Sequence, residues 1–389
     1  MTIENLGIKR VESVDFVVHD LERSRRFYQD KMDFRLVAQS NEGYTAETGE
    51  ESLVFDAGRA RVQLTMPTEG DQGSHAARFL RAHPDGIRHV NFLVEDVEHA
   101  FKVLDTERNA NIIDEIVTAG DRRNFTIASP LGDVEYGFVE KKDESTFDGR
   151  LTAVAYDPEA PTNQHGFTHM DHITSNTRDL HSLVNFYRDV LGWEHFWDFR
   201  FHTQDANPDA VGSGLNSIVM RDPKSNVKFA TNEPLSPNFY GSQIQKYVED
   251  NHGPGVQHVA LSTGKIMDVL PDMHQSGLKF LDTPDAYYEM LPERMAERAV
   301  ENLAEDMEDL RRNKVLVDGR DNRYLLQIFM QEASLLYDEA AAGPFFYEII
   351  QRKGEQGFGE GNFRALFESI ERQQSGETTR TLENPQLND

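Results

Sequence analysis

The feature that most constrains this chain is that it repeats itself. The stretch VESVDFVVHDLERSRRFYQDKMDFRLV, from Val11, is matched by FTHMDHITSNTRDLHSLVNFYRDVLGWEHF, from Phe167. Both read as a strand containing Asp, then Asp-Leu, then a helix carrying Phe-Tyr, then a turn. Further on, GIRHVNFLVEDV, from Gly86, is matched by GVQHVALSTGKI, from Gly255, again a β-like run that leads into a helix. Each half thus holds two strand-helix starts with β-rich, turn-rich sequence between them. This predicts an α+β chain of two domains, each made of two βαβββ units whose strands curl into an open half-barrel sheet. The length of 389 residues agrees, since one ordinary core does not grow so large and two domains of roughly 150 to 200 residues do the work better. The polar, Pro-containing run KKDESTFDGRLTAVAYDPEAPTNQHG reads as the linker. It places one domain at residues 1–150 and the other at 151–389. Two further segments read as solvated: a helix over ERMAERAVENLAEDMEDLRRN and a loose tail after Arg372.

A duplication is most informative where its copies differ. Strand MDHIT presents His172, where VDFVV presents Phe16; strand VQHVA presents His258, and IRHVN does present His89. PFFYEIIQRK carries Glu348, where VEYGFVEKK aligns Gly137. The second half has all three potential metal ligands and the first half only one, so a metal site is expected in the second domain alone. Alternate residues of a strand share a face, and three strands of one curved sheet can aim His172, His258 and Glu348 at a common point. Two imidazoles and one carboxylate leave three adjacent coordination positions open, which suits Fe(II) oxygenase chemistry. A closed structural zinc site would want four protein ligands. With 14 His in the chain, a lone strand His is more often an ordinary hydrogen-bonded residue than a ligand. His169, three residues from His172, faces the opposite side of a regular strand and should not bind the same ion. Glu348 is the stronger candidate, because a carboxylate within PFFYEII is costly to bury unless it is paired or metal-bound.

Composition narrows the partners. The chain has no Cys, which excludes thiolate metal sites, disulfides and a Cys nucleophile. Its formal net charge of −27 argues against nucleic acid or an anionic membrane surface as partner. A small anionic substrate is still compatible, since charges more than about 8 Å apart are screened at physiological salt. No run approaches the ~18 apolar residues of a membrane helix, and MTIENLGIKRVES lacks a signal-peptide layout, so the expectation is a cytoplasmic protein.

At the candidate ligands the sequence resembles the 4-hydroxyphenylpyruvate dioxygenase family of the vicinal-oxygen-chelate superfamily. The likeness covers most of the chain and is dense in the second half: DHIT, FYRDVLGW, NEP, SQIQKYV, GPGVQHVALST, LLQIFMQ, FFYEIIQR and GFGEGNFRALFESIE. It implies that His172, His258 and Glu348 hold one Fe(II) per subunit, with no catalytic side chain beyond these ligands. It also implies that Ser217, Asn232, Gln243, Gln257, Gln327, Phe329, Phe358, Asn362 and Phe363 contact substrate. Amides and a hydroxyl would orient a phenol and a keto acid, and Phe rings would sandwich the aromatic ring. Taken by themselves, Gln243 reads as a surface helix residue, Gln327 and Phe329 as a strand pair, and Ser217 and Asn232 as sheet and turn residues. An ideal strand would point Gln257 away from His258.

The resemblance further implies the vicinal-oxygen-chelate fold, a last helix with Phe363, Leu366, Phe367 and Ile370 at helical spacing covering the site, and a homodimer or homotetramer. The implied reaction turns 4-hydroxyphenylpyruvate and O2 into homogentisate and CO2, as in tyrosine and phenylalanine catabolism. Two readings stand beside it: a 4-hydroxymandelate synthase with the same ligands and substrate, and a non-catalytic ligand-binding module of the same fold. The chain departs from the family at Ala230, where many relatives have Pro, and in MQEASLLYDEAAAGP after LLQIF.

Overall fold

The computed structural model describes residues 4–155, 157–206, 212–359 and 361–362. In the first half, β1 (Ile8–Val17) is followed by β2 (Arg35–Gln39), β3 (Glu50–Ala57) and β4 (Ala60–Pro67), and β5 (Gly86–Val94) by β6 (Ile112–Ala119), β7 (Arg122–Ala128) and β8 (Glu135–Lys141). A two-residue strand, β9 (Thr152–Ala153), comes from the expected linker and pairs with β2. The second half repeats the plan with β10 (Phe167–Asn176), β11 (Glu194–His202), β12 (Gly214–Arg221) and β13 (Lys228–Leu235), then β14 (Gly255–Thr263), β15 (Leu316–Arg320), β16 (Arg323–Phe329) and β17 (Phe346–Lys353).

The two sheets have the same topology. The first runs β6-β7-β8-β5-β1-β4-β3-β2-β9 and the second β11-β12-β13-β10-β14-β17-β16-β15. In every βαβββ unit the first strand pairs in parallel with the last, and the two units of a sheet meet through their antiparallel first strands. The sequence pattern explains the entry to each helix. The Asp of the repeated Asp-Leu is an N-cap: Asp20 accepts from the Arg23 amide and Asp179 from the His181 amide, and Asp96 caps the second unit's helix in the same way. Such caps contribute about 1 kcal/mol each. The fourth unit has Lys265 there, with no side-chain cap.

The halves pack on one another through a single continuous core, and the repeated Phe-Tyr makes the joint symmetric. Tyr28 of the first unit meets Tyr347 on β17, hydroxyl to hydroxyl at 2.9 Å. Its counterpart Tyr187 meets Tyr136 on β8 at the same 2.9 Å. All four rings are buried, and the hydroxyls of Tyr28 and Tyr347 rely on each other.

Two segments differ from the sequence reading. The acidic stretch is two helices, Asp285–Glu297 and Met307–Arg312, rather than one. Ala299 adopts a left-handed φ of 56° and Asp306 caps a new helix, while Leu291, Met295, Val300 and Leu310 are buried. The departure after LLQIF forms a short helix, Ala333–Tyr337, and a turn that clasps the first half. The Asp85 amide donates to the Ala341 carbonyl at 2.9 Å. Arg23 pairs with Glu339 and lies 4.9 Å over the Tyr337 ring. No helix among the described residues is long and apolar enough to cross a membrane.

Tyr28→Phe and Tyr347→Phe should each destabilise the protein by about 1 to 3 kcal/mol, because each strands a buried hydroxyl. In the double variant no hydroxyl is left without a partner, so its loss, read by chemical denaturation, should fall short of the sum of the singles.

Candidate metal centre

Cross-strand register builds the centre. His172 on β10, Ala260 on β14 and Glu348 on β17 lie in one row across three adjacent strands, and His258 lies one pleat along the central strand, opposite Thr174 and Phe346. The row is wide because its middle member is Ala. One ligand atom from each of His172, His258 and Glu348 falls within 4.8 Å of the others, and all three residues are buried. His172 Nε2 is 3.2 Å and His258 Nε2 3.4 Å from the same carboxylate oxygen, Glu348 Oε2.

The remaining atoms of the three side chains are already engaged. His172 Nδ1 donates to Asp171 Oδ1 at 2.8 Å, and His258 Nδ1 to Gln257 Oε1 at 3.1 Å. Gln327 Nε2 donates to Glu348 Oε1 at 2.8 Å. With both Nδ1 atoms donating outward, the two Nε2 atoms face one carboxylate oxygen, an arrangement that either a proton or a metal cation between them satisfies. Charge follows that logic. Burial alone would raise the Glu348 carboxyl, but His172 and then His258 outweigh it and bring it down to about 2. Burial works against a charged His172, yet Glu348 and Asp171 raise its pKa; burial lowers that of His258. Asp171, although buried, is held well below the ordinary carboxylate range by Arg352. A divalent cation fits the donor set: two imidazole nitrogens and one carboxylate oxygen, with the two Nδ1 protons and the second carboxylate oxygen engaged elsewhere.

The same row in the first sheet shows what closes such a site. His89 stands opposite Asp15 and Glu135 as His258 stands opposite Thr174 and Phe346, and Gly137 occupies the place of Glu348. The place of His172 is taken by Ser13, not by Phe16 as the sequence match had it, because Ser13 pairs with Asn91 as His172 pairs with Ala260. The centre of the row is therefore Asn91, which donates to Ser13 Oγ at 2.9 Å and Asp15 Oδ2 at 3.0 Å. It needs the glycine beside it, since a Cβ on Gly137 would meet Asn91 Oδ1 at 2.0 Å. His89 itself bonds Glu135 at 2.6 Å. His169 bonds Thr168 and takes no part in the cluster.

The residues expected at substrate fall into three groups. Gln257 and Gln327 hold ligand side chains, as above; Gln257 reaches along the strand to its neighbour instead of pointing away. Phe329 and Phe358 put rings 6.0 Å from His258 and 4.6 Å from His172, respectively. Ser217, Asn232 and Asn176 form a second buried row across β12, β13 and β10. Asn232 donates to Asn176 at 3.0 Å. Among the described residues Ser217 Oγ, Asn232 Oδ1, Asn176 Nδ2 and the Oε1 of Gln243 find no partner. Gln243 is buried rather than a surface helix residue. Asn362 is buried and donates to Gln327 Oε1 at 3.0 Å. Phe363 and the expected covering helix lie outside the described residues. Sequence reasoning did not single out Asp171, Asn176, Ala260 or Arg352. The adjacency of Asp171 to a ligand His was the one available signal.

Comparison with known proteins places this geometry. The model of the Glyoxalase/Bleomycin resistance protein/Dioxygenase superfamily matches residues 10–138 and 169–291. A 4-hydroxyphenylpyruvate dioxygenase of Dictyostelium discoideum is 33% identical over 375 residues, covering 93% of this chain and 97% of that protein. One from Danio rerio is 32% identical, covering 95% and 91%. Among solved structures, a mutant 4-hydroxymandelate synthase from Streptomyces coelicolor superposes with a TM-score of 0.76 at 24% identity, covering 95% of this chain and 99% of that one.

His172→Ala, His258→Ala and Glu348→Ala should each reduce divalent-metal affinity by more than the ~10 to 100-fold typical of supporting residues, and His89→Ala should leave it unchanged; calorimetric titration reads both. Ala260→Asn copies the plug of the first sheet and should abolish metal binding at a stability cost of about 1 to 3 kcal/mol.

Proposed function

We infer the activity from the premise that this chain belongs to the 4-hydroxyphenylpyruvate dioxygenase family of the glyoxalase/bleomycin resistance protein/dioxygenase superfamily: it is an enzyme that converts 4-hydroxyphenylpyruvate and O2 to homogentisate and CO2 with Fe(II). The observation that carries this reading is the buried triad of His172, His258 and Glu348, whose outward-facing Nδ1 protons and carboxylate oxygen are all engaged and whose remaining ligand atoms converge. His172, His258 and Glu348 would hold the Fe(II), which would supply the oxidation of the keto acid by dioxygen.

The side chains bind, orient and keep water out. Phe358 forms a wall at His172, backed by Trp197, whose ring is parallel to it at 6.3 Å. Phe329 lies edge-on to His258, so the substrate ring meets aromatic surface on the ligand side. The row of Ser217, Asn232 and Asn176 lies four residues along β10 and β13 from His172 and its partner Lys228, or about 13 Å at ~3.3 Å per residue. Its unpaired atoms suit a ligand that carries hydrogen-bonding groups at the end remote from the metal. Burying those atoms without a ligand costs about 1 to 3 kcal/mol each, so a matching hydroxyl is strongly preferred over a hydrogen at that end. Gln327 and Asn362 form a chain onto Glu348 and fix its orientation.

Ala230 sits in this wall, in contact with Val219 and Phe358. It removes bulk from behind the Phe358 ring but no polar contact, so the aromatic wall should keep the ring carbon nearest the metal. We expect homogentisate as the main product when Fe(II)-reconstituted protein receives the keto acid and oxygen. Chromatography against authentic standards showing 4-hydroxymandelate, an isomer of homogentisate, instead would assign regiochemistry to Ala230 or another wall residue. A substrate lacking the phenol hydroxyl should lose affinity in the wild type and lose less in Ser217→Ala.

A further inference from the structure

Arg352 lies on β17, four residues beyond Glu348, and does two things at once. Its Nε and Nη2 form a fork on Asp171, both at 2.7 Å. Its Nη1 donates to the carbonyls of Glu355 at 3.1 Å and Gly357 at 2.7 Å. Asp171 in turn accepts from His172 Nδ1, and the side chains of Asp171 and Arg352 are only 7% and 13% exposed. The intervening carbonyl, Gln356, accepts from buried Lys228 at 2.8 Å. Three consecutive carbonyls of the 355–357 turn are thus held by the half-buried Arg352 and the buried Lys228, and the next residue is Phe358, the ring against His172. A second tie runs from the same segment to another member of the triad, Asn362 to Gln327 to Glu348. Gly359 permits it: its φ is +74°, and a Cβ there would meet Gln327 Oε1 at 2.4 Å.

A forked guanidinium–carboxylate pair is directional, so Arg352 can satisfy Asp171 and the turn together only in one relative placement. Tilting His172 drags Asp171, and releasing the turn leaves Arg352 with unmet donors in a buried site. We propose that Asp171 and Arg352 are positioning residues that couple the orientation of His172 to the seating of the 355–358 turn, making metal loading and placement of the Phe358 wall one linked equilibrium. The proposal rests on the metal-centre reading above. Linkage is reciprocal: whatever the metal does to the turn, the turn does to metal affinity.

Amide hydrogen exchange of the full-length protein, read by mass spectrometry on peptides covering 354–359, tests this with and without Co(II) or Fe(II). In the wild type, metal should slow exchange of the turn about tenfold or more. Asp171→Asn touches no atom of the turn. It should nevertheless speed exchange there in the metal-free protein, abolish the response to saturating metal, and weaken metal binding by ~10 to 100-fold in calorimetry. Arg352→Gln should do the same, and Arg352→Lys, which keeps the charge without the fork, should fail to restore the response. Unfolding midpoints identify a variant that has lost its fold, and Arg352→Lys then carries the test. An Asp171→Asn protein whose turn exchanges and responds like the wild type would overturn the coupling. A wild type that binds no metal would instead sink the metal-centre reading, while the metal-free comparison would still decide whether Asp171 holds the turn.

Discussion

A carboxylate buried between two imidazoles governs the second half of this molecule. Glu348 is 1% exposed and shares one oxygen between His172 and His258. Moving such a group out of water is expensive unless it is paired and hydrogen-bonded. The surroundings are arranged accordingly. Gln327 takes the other oxygen, Gln257 and Asp171 fix the far nitrogens of the histidines, and Arg352 neutralises Asp171. Every one of these groups is a second requirement placed on residues around the triad.

The duplication shows how such a centre is gained or lost on one scaffold. Both sheets carry the same register and a histidine at the same place, so the backbone is not what distinguishes them. The difference is in one cross-strand row: His172, Ala260 and Glu348 in one sheet, and Ser13, Asn91 and Gly137 in the other. A small residue in the middle leaves a space that two ligands flank, whereas a middle amide fills it and satisfies itself locally. The first half packs against the second. Its tyrosines Tyr28 and Tyr136 complete the hydroxyl pairs with the second half, and its Asp85 and Arg23 receive the segment after β16.

The repeat, the two βαβββ units per half, the helix caps and the three converging residues were all legible in the chain, because strand period and local capping are properties of neighbours in sequence. Register was harder. Aligning Asp15 with Asp171 paired Phe16 with His172, but the irregularities of β1 and β10 fall at matching places, and counting back from the caps Asp20 and Asp179 gives Ser13, the residue that the cross-strand partners identify. Single-helix periodicity across the acidic stretch was likewise interrupted by Ala299 and by the cap at Asp306, which answer to burial of Val300 and Leu310.

What the sequence by itself determined is the architecture and the chemistry on offer: a duplicated α+β chain, with no thiols and with His, His and Glu on three strands of its second half. Those follow from short-range pattern and from the contrast between copies. What only the tertiary structure decided is which groups serve those three. Asp171 bonds its neighbour His172 because a strand irregularity turns the two toward each other, and Arg352 reaches Asp171 from a residue 181 positions away. The first has only adjacency as a local signature and the second has none. Arg352 meets Asp171 because two strands distant in sequence bring a charge and its partner into one desolvated space, and there an unpaired charge is too costly to leave.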